Sequence, residues 1–291
     1  MSVTDIYNQP DLTLHTTSKE LISTPEIIPS DIVSVIPAYN DQEGLEITLR
    51  SLDRFGLAMI VAVDDGSEPP LKAPSNISTP FKMIRHDENR GVAAARNTGT
   101  FATKSDWIYF TDCGCIHFAG LFTSYKKSRA SAGPFVSAVV GPVVATTQGR
   151  LGTFYTEEEI LNPPIFHNEN DALEATSIVG CNALISRAAM DKVGHFDEKT
   201  YGTNFGEDTD LGIQLYHVGK ILWCEYAGIA HDFTESLDVF DSRFKSYGKA
   251  VRLVSDKYNL DWTPQMFFRF PKNFINLGER RNQMYVEGFG V

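Results

Sequence analysis

IVSVIPAYN at residues 32–40 and MIVAVDDGS at residues 59–67 are the stretches that decide the fold of this chain. Each begins with a run of apolar, largely β-branched residues, which favours a buried strand, and each stops abruptly in small and polar residues. In open α/β sheets, the carboxyl ends of the strands form the edge at which ligands bind. The two stretches therefore predict strands that present functional groups at one edge of a sheet.

The chain around these stretches alternates short strands with amphipathic helices. A helix with Leu45, Leu49 and Leu52 on one stripe follows the first stretch and is expected to end at Gly56. The segments FKMIR and DWIYF predict further strands, and a helix is expected from about Val92 between them. This alternation is typical of an α/β fold with a parallel sheet.

The second half of the chain is less regular. FVSAVVGPVV at 135–144 predicts a strand, and residues 146–176 predict a long polar loop. A helix is expected after Asp208, with apolar side chains on one face at Leu211, Leu215 and Val218. We divide the chain into an N-terminal arm (1–30), a main domain (31–235) and a helical or irregular C-terminal extension (236–291).

Composition narrows the classes of function. The chain has 291 residues, of which 42% are hydrophobic and 22% charged, so it can bury a sizeable core. A formal net charge of -11 argues against nucleic acid as a partner, because a phosphate backbone would be repelled. The four cysteines lack the spacing of a disulfide framework or a zinc site, which indicates a reducing compartment. The sequence shows neither a secretion signal nor an apolar run long enough to span a membrane. We therefore expect a cytoplasmic protein.

Two segments carry groups that suit a nucleotide. Asp64 and Asp65 can accept hydrogen bonds from a base edge or ribose hydroxyls, although DDGS is equally explained as an acidic turn. In NRGVAAARNTG at 89–99, Gly91 precedes a small-residue helix whose free N–H groups suit phosphate, and Arg96 adds a positive charge. The alternative is that the small residues serve tight packing on the sheet.

These segments in order, followed by DWIYFTDCGC at 106–115, resemble the family 2 glycosyltransferases over roughly residues 32–232. The resemblance implies a Rossmann-like nucleotide-binding fold called GT-A, an α/β fold with a mixed, mostly parallel sheet flanked by helices. It also implies transfer of a sugar from a nucleoside diphosphate sugar, most often a UDP-sugar, to an acceptor hydroxyl. The acceptor would be a saccharide, a lipid-linked molecule or another hydroxyl compound. The donor-binding residues it implies are Pro37, Ala38, Tyr39, Asn40, Asp64, Asp65, Arg96 and Asp112.

The resemblance also implies a divalent cation, Mn²⁺ or Mg²⁺, held by a pair of carboxylates against the donor diphosphate. Asp112 matches the first carboxylate, but Gly114 stands where the second usually is. Three arrangements stay open: Asp112 acts with water and His231, the ion binds weakly through the diphosphate, or cations such as Arg96 replace the metal. His231 is equally explained as a neutral ring beside a strand end.

NFGEDTDLGIQLYHVGK at 204–220 matches the family closely. The resemblance implies that Asp208, next to Glu207, is the catalytic base that deprotonates the acceptor hydroxyl in an inverting displacement. The same acidic residues also suit the start of a helix, where negative charge is favoured by the dipole. One alternative is a catalytically inert domain of this fold that binds a nucleotide sugar or acts as a scaffold, and Gly114 motivates it. The other is a nucleotidyltransferase. That class is expected to carry a Gly-rich, basic phosphate loop, and PAYNDQEG at the start of the core does not match such a loop.

The resemblance thins beyond about residue 235. WTPQMFFRFPKNFINLGERR at 262–281 alternates aromatic and cationic residues. Two interpretations stay open: peripheral docking of this segment at the inner face of a membrane or on a partner, and packing of its phenylalanines on the main domain. Phe267, Phe268, Phe270 and Phe274 would enter either interface, and docking adds Arg269, Lys272, Arg280 and Arg281 as contacts to acidic head groups.

Overall fold

The structure is a computed structural model, and it describes residues 20–146, 149–168, 172–232, 236–267 and 273–290. The strands are β1 (Val33–Ala38), β2 (Met59–Asp64), β3 (Phe81–Arg85), β4 (Trp107–Phe110), β5 (Cys115–His117), β6 (Val136–Val140), β7 (Val143–Ala145), β8 (Ile165–His167), β9 (Leu173–Ala175), β10 (Ala183–Ser186), β11 (Lys220–Trp223) and β12 (Ile229–His231).

The helices alternate with these strands in the first half and follow them in the second. They are α1 (Gln42–Leu52), α2 (Val92–Phe101), α3 (Leu121–Ser131), α4 (Arg150–Glu157), α5 (Arg187–Val193), α6 (Glu198–Tyr201), α7 (Glu207–Val218), α8 (Leu237–Tyr258) and α9 (Ile275–Phe289). Short 3₁₀ turns occupy Pro29–Asp31, Asp53–Phe55 and Pro264–Phe267.

The main sheet has the strand order β3-β2-β1-β4-β10-β6-β11-β9-β8. Pairing is parallel from β3 through β2 and β1 to β4, whereas β10 is antiparallel to both β4 and β6. β11 runs parallel to β6, and β9 and β8 continue antiparallel. The sheet is therefore mixed, as expected, with its parallel part in the half that contains the first motifs.

Hydrophobic clusters cover both faces of the main sheet. Val33 and Val35 of β1 pack into one cluster and Ile36 into the other, because successive side chains in a strand point to opposite faces. α1 packs on the Ile36 side through the predicted stripe of Leu45, Leu49 and Leu52. α7 packs on the other face through Leu211, Leu215 and Val218, which confirms both helices.

The expected single strand at 135–144 is wrong, because Gly141 and Pro142 divide it. β6 belongs to the main sheet, whereas β7 lies in a small sheet of order β5-β12-β7. A Cβ on Gly141 would lie 2.1 Å from the carbonyl oxygen of Ala227, so this turn requires glycine. The break brings the small sheet, with His231 at the end of its central strand β12, beside the carboxyl ends of the main strands.

The expected loop at 146–176 is wrong as well, since it contains α4, β8 and β9. Phe154 and Tyr155 of α4 are buried against Phe240 and Phe244 of α8. The packing partners of α4 lie far away in the sequence. The segment itself is polar with few apolar residues, so the sequence around it gives no local sign of a helix.

The described part of the N-terminal arm lies along the main domain. The N–H of Ile22 donates to Val218 at 2.8 Å, and the N–H of Thr24 donates to Pro134 at 2.8 Å. Ile27 is fully buried. Residues 1–19 lie outside the described part of the chain.

The C-terminal extension is helical and packs on the main domain. α8 and α9 approach each other at two glycines, since a Cβ on Gly248 would lie 2.2 Å from the carbonyl oxygen of Tyr285 and one on Gly288 only 1.9 Å from that of Lys245. Phe267 and Phe274 pack into hydrophobic clusters, which favours the packing interpretation for them. Phe268, Arg269, Phe270 and Lys272 lie outside the described residues.

Among the residues described above, no helix combines the length and the apolar composition needed to cross a membrane.

Candidate active site

A cavity of about 620 Å³ opens at the carboxyl ends of β1 and β4, the edge that the first motifs predicted. In a sheet of this topology the crevice lies where the strand order reverses beside β1. Most of the residues predicted for the site line this cavity, namely Pro37, Ala38, Tyr39, Asp65, Arg96, Asp112, Glu207, Asp208 and His231.

Asn40 and Asp64 are not among the lining residues, because both bind the backbone of the turn after β2. Asp64 accepts hydrogen bonds from the N–H groups of Ser67 at 2.9 Å and Leu71 at 3.1 Å. Although burial opposes it, these bonds and the ion pair with Arg85 lower the pKa of Asp64. Asn40 Oδ1 accepts from the N–H of Glu68 at 2.9 Å, and the Asn40 N–H donates to the Ser67 hydroxyl at 2.8 Å, so Asn40 braces the same turn.

Asp65 lies in the cavity wall and fixes the loop before α2. Its carboxylate accepts from the N–H groups of Arg90 at 3.0 Å and Gly91 at 2.8 Å. His86 Nδ1 lies 2.6 Å from Asp65 Oδ1, and its Nε2 lies 2.9 Å from the Thr98 hydroxyl. No role for His86 was predicted from the sequence, although its position directly after β3, at the same sheet edge, was the available signal.

The small-residue helix α2 serves both packing and access. Ala93 and Ala95 are buried in the hydrophobic cluster under the sheet. A Cβ on Gly99 would lie 2.4 Å from Val35 Cγ1, so the helix packs very closely on β1. Gly91 and Val92, at its N-terminus, line the cavity, where the helix dipole favours an anion.

Arg96 joins three segments of the site. Its buried guanidinium donates to Glu207 Oε1 at 2.6 Å and to Asp112 Oδ1 at 2.9 Å. Although burial opposes it, Asp112 and Glu207 raise the pKa of Arg96, so the cation stays charged. A Cβ on Gly180 would lie 2.3 Å from this guanidinium, so glycine is needed there.

Glu207 is the most perturbed carboxyl group of the cavity. It is 3% exposed, and Oε2 has no hydrogen-bond partner among the described residues. Burial, followed by the neighbouring charge of Asp208, raises the pKa of Glu207 to about 8, while Arg96 acts in the opposite direction. Glu207 therefore depends on Arg96 for its ionised form.

Asp208 lies half-buried in the first turn of α7 and lines the cavity. Oδ2 accepts from the N–H of Gly180 at 3.1 Å, and Oδ1 accepts from the N–H of Thr209 at 2.7 Å. The residue before the helix is Gly206, with φ +111° and no side-chain cap, so Asp208 is positioned by its partners instead. Its carboxylate is fixed in one orientation at the cavity wall.

The C-terminal extension is tied to the helix that bears Asp208. Asp210, in the same turn of α7, is fully buried and accepts hydrogen bonds from Lys257 Nζ at 2.9 Å and from the Tyr258 hydroxyl. Both donors lie at the end of α8. The extension is therefore part of the structural support of the site.

We expect Tyr258→Phe to destabilise the protein by about 1.5–3 kcal/mol, because a buried carboxylate would lose one of its donors. Urea unfolding followed by circular dichroism measures this change. Tyr226→Phe is the control, since the Tyr226 side chain is 81% exposed and its hydroxyl does not support a buried charge. Equal stability of the two variants would contradict a structural role for the Tyr258 hydroxyl.

Few side chains in the cavity can serve as ligands for a divalent cation. Asp112 and His231 line the cavity, but the described residues contain no group of three or more His, Cys, Asp or Glu side chains placed for a metal. Gly114 has φ +78°, and a Cβ there would lie 3.5 Å from the Cβ of Asp232. The residues present fit a cation such as Mn²⁺ or Mg²⁺ that takes its remaining ligands from substrate phosphates and water.

The cysteines have free thiols. Burial raises the pKa of Cys115 to about 12 and raises that of Cys113 well above its ordinary value. Neutral thiols in these positions agree with a packing role for both residues.

Comparison with known proteins identifies the family. The model of the family described as Glycosyl transferase family 2 matches residues 34–194, which are more than half of this chain. The pre-mycofactocin glycosyltransferase of Mycobacterium tuberculosis is 31% identical over 224 residues, covering 75% of this chain and 46% of the relative. This chain thus spans less than half of the length of that relative.

Solved structures share the fold. The mannosyltransferase PcManGT of Pyrobaculum calidifontis, in complex with GDP-Man and Mn²⁺, superposes with a TM-score of 0.54 at 15% identity, covering 98% of this chain and 79% of that one. GalNAc-T7 with UDP, GalNAc and Mn²⁺ gives a TM-score of 0.51 at 16% identity, covering 88% and 56% of the two chains. The expected GT-A fold is confirmed, and the chain belongs to glycosyl transferase family 2.

Proposed function

We propose that this protein transfers a sugar from a nucleoside diphosphate donor to an acceptor hydroxyl, with Asp208 as the general base. The observation that carries the proposal is the geometry of Asp208, whose carboxylate is fixed by the N–H groups of Gly180 and Thr209 at the wall of the cavity. A base must be immobilised within hydrogen-bond reach of the proton that it removes. Membership of the glycosyltransferase family supports the reaction class.

The donor occupies the part of the cavity at the ends of β1 and β2. Pro37, Ala38 and Tyr39 form the wall for the nucleoside, with Asp65 at its edge. The N-terminus of α2 at Val92 faces the diphosphate, where the helix dipole favours negative charge. UDP and GDP-Man are bound by the structural neighbours, and of these we favour a UDP-sugar as the donor.

The reaction is a single displacement with inversion. The acceptor oxygen attacks the anomeric carbon of the donor sugar as Asp208 takes the proton from that hydroxyl, and the bond to the nucleoside diphosphate breaks on the opposite face. A base and a leaving group are sufficient for this step, so no covalent intermediate on the protein is needed. The products are the glycosylated acceptor and the nucleoside diphosphate.

Charge develops on the leaving diphosphate, and Arg96 is the buried cation near it. Its ion pairs with Glu207 and Asp112 fix its position in the cavity wall. A divalent cation, as in the Mn²⁺ complexes of the neighbours, would be bound by Asp112 with His231 and would neutralise phosphate charge. Glu207 keeps Arg96 in place through the buried ion pair.

We expect Mn²⁺ to increase the affinity of the protein for UDP, and Asp112→Asn to abolish most of that increase, because the amide is a much weaker ligand for a hard cation. Calorimetric titration of UDP with and without Mn²⁺ measures both effects. Asp87→Asn, at an exposed carboxylate outside the cavity, is the control. An unchanged increase in the Asp112 variant would exclude this residue as a ligand.

A binding domain without catalysis is the second candidate, and Gly114 in place of a carboxylate is the observation that favours it. A thermal-shift screen of nucleotide sugars identifies the donor, because selective binding to the folded state raises the melting temperature. The donor so found is then incubated with the protein, and free nucleoside diphosphate is measured. Release that depends on Asp208 supports the enzyme, whereas binding without any release supports the inert domain.

A further inference from the structure

The side of the cavity formed by the C-terminal extension is a row of aromatic rings, here called the aromatic wall. Its members all line the cavity: Phe205, Tyr247, Trp262, Phe267 and Tyr285. The ring centroids are 5.8 Å apart for Phe205 and Tyr247, and 6.4 Å apart for Tyr247 and Tyr285. Phe267 stacks on Tyr285 at 6.4 Å and 5°, and contacts Trp262 at 5.4 Å. The rings thus form one continuous surface.

The aromatic wall begins beside Asp208. Phe205 precedes Asp208 by three residues, and its ring is 43% exposed. A Cβ on Gly206 would lie 3.2 Å from the Cβ of Ala250, so α8 runs directly over the start of α7. The wall therefore borders the general base, whereas the residues proposed for the donor lie at the ends of β1 and β2.

The wall offers few polar groups. Within residues 236–267 and 273–290, the side chains that line the cavity are aromatic or aliphatic apart from Arg243 and Arg281, and they include no carboxylate or amide. A site for an extended saccharide would be expected to present polar side chains to successive hydroxyls, because each buried hydroxyl needs a partner. Aromatic surfaces instead favour a flat apolar ring.

We infer that the acceptor carries its reactive hydroxyl on an apolar body with an aromatic ring, which stacks on the aromatic wall and places the hydroxyl at Asp208. This inference rests on the proposed function, since it names the acceptor class of the same site. The acceptor is then a hydroxylated aromatic compound or an aryl glycoside rather than an unsubstituted saccharide chain.

The test compares two probes that differ only in the ring. 4-Nitrophenyl β-D-glucoside and methyl β-D-glucoside present the same sugar hydroxyls, and each is titrated calorimetrically into the protein in the presence of UDP. We expect the aryl glucoside to bind about tenfold more tightly, which corresponds to one stacked aromatic contact. Tyr247→Ala is expected to abolish this preference, and Tyr247→Phe to keep it, because the ring and not the hydroxyl forms the surface.

Tyr226→Ala is the control, since that ring is 81% exposed and does not line the cavity. Phe205→Ala replaces Tyr247→Ala if the latter fails to fold, because the exposed Phe205 ring contributes less to the core. Equal affinity of the two glucosides for the unmodified protein, or a preference that survives loss of either ring, would overturn the inference. Titration of UDP alone in the same samples separates this outcome from failure of the proposed function, in which UDP itself does not bind.

Discussion

Asp208→Asn is expected to lower kcat of sugar transfer by about 10²–10⁴-fold, the contribution typical of a positioned general base. The amide has the shape of the carboxylate and retains an oxygen that can accept a backbone hydrogen bond, so the start of α7 should keep its geometry. It cannot take the acceptor proton at neutral pH. Transfer is measured by release of nucleoside diphosphate, with a donor selected by the thermal-shift screen and an acceptor of the proposed class.

Donor binding separates catalysis from structure in this variant. The dissociation constant of UDP, measured by calorimetry, is expected to change little, because Asp208 makes its hydrogen bonds to Gly180 and Thr209 and not to the residues proposed for the nucleotide. Asp238→Asn, at an exposed position in the first turn of α8, serves as the matched control and should retain full activity. Full turnover by Asp208→Asn would exclude Asp208 as the base.

Arg96→Met is expected to destabilise the protein by about 3–5 kcal/mol, because removing one partner of a buried ion pair leaves the other charge without compensation. Glu207 is 3% exposed and Arg96 2% exposed, so water cannot replace the lost cation without rearrangement. Urea unfolding above pH 8, where Glu207 is ionised in the folded protein, measures the loss. In the double variant Arg96→Met with Glu207→Gln, much of it should be recovered, since the uncompensated carboxylate is gone.

The pH dependence of stability tests the same pair. The pKa of Glu207 is raised in the folded protein to about 8 from an ordinary value of 4.5, so the folded state binds this proton more tightly than the unfolded state. The contribution of Glu207 is therefore fully present below pH 4.5 and is lost as the pH rises toward 8.

The decline should extend to higher pH in Arg96→Met, because the cation that lowers the pKa of Glu207 is missing. Glu207→Gln has no carboxyl group at residue 207, so its stability should lack this decline. Differences between variants are compared because other groups titrate too. Burial lowers the pKa of His117 to about 3, which gives an effect of opposite sign at low pH. Identical pH profiles of the single variants and the unmodified protein would contradict the buried ion pair.

The order of the segments allowed the family and the fold to be predicted, and the comparisons confirm both. The roles of individual residues in the first motifs were less accessible. Asp64 and Asp65 are adjacent in one acidic turn, yet Asp65 lines the cavity whereas Asp64 binds the turn after β2. Both residues are aspartates, so only the hydrogen-bond geometry of the folded protein distinguishes them.

The structure of the C-terminal extension was less accessible from the sequence than the first motifs. Its alternating aromatic and cationic residues suggested either docking or packing, and the described phenylalanines Phe267 and Phe274 pack on neighbouring elements. The aromatic wall was not anticipated, because Phe205 and Tyr285 belong to segments that are 80 residues apart in the sequence. The helix α4 was missed for the same reason, since its Phe154 is buried by residues of α8.

By itself, the sequence determined the strands and helices around the first motifs, because the spacing of apolar residues follows the period of each element and needs no distant partner. It also determined which acidic residue to test as a base, through the segment that contains Asp208. The tertiary structure alone decided that Arg96 pairs with Glu207 and Asp112, and that aromatic rings face the cavity beside Asp208. Those features arise from contacts between segments far apart in the chain, and such contacts leave no periodic trace in the sequence.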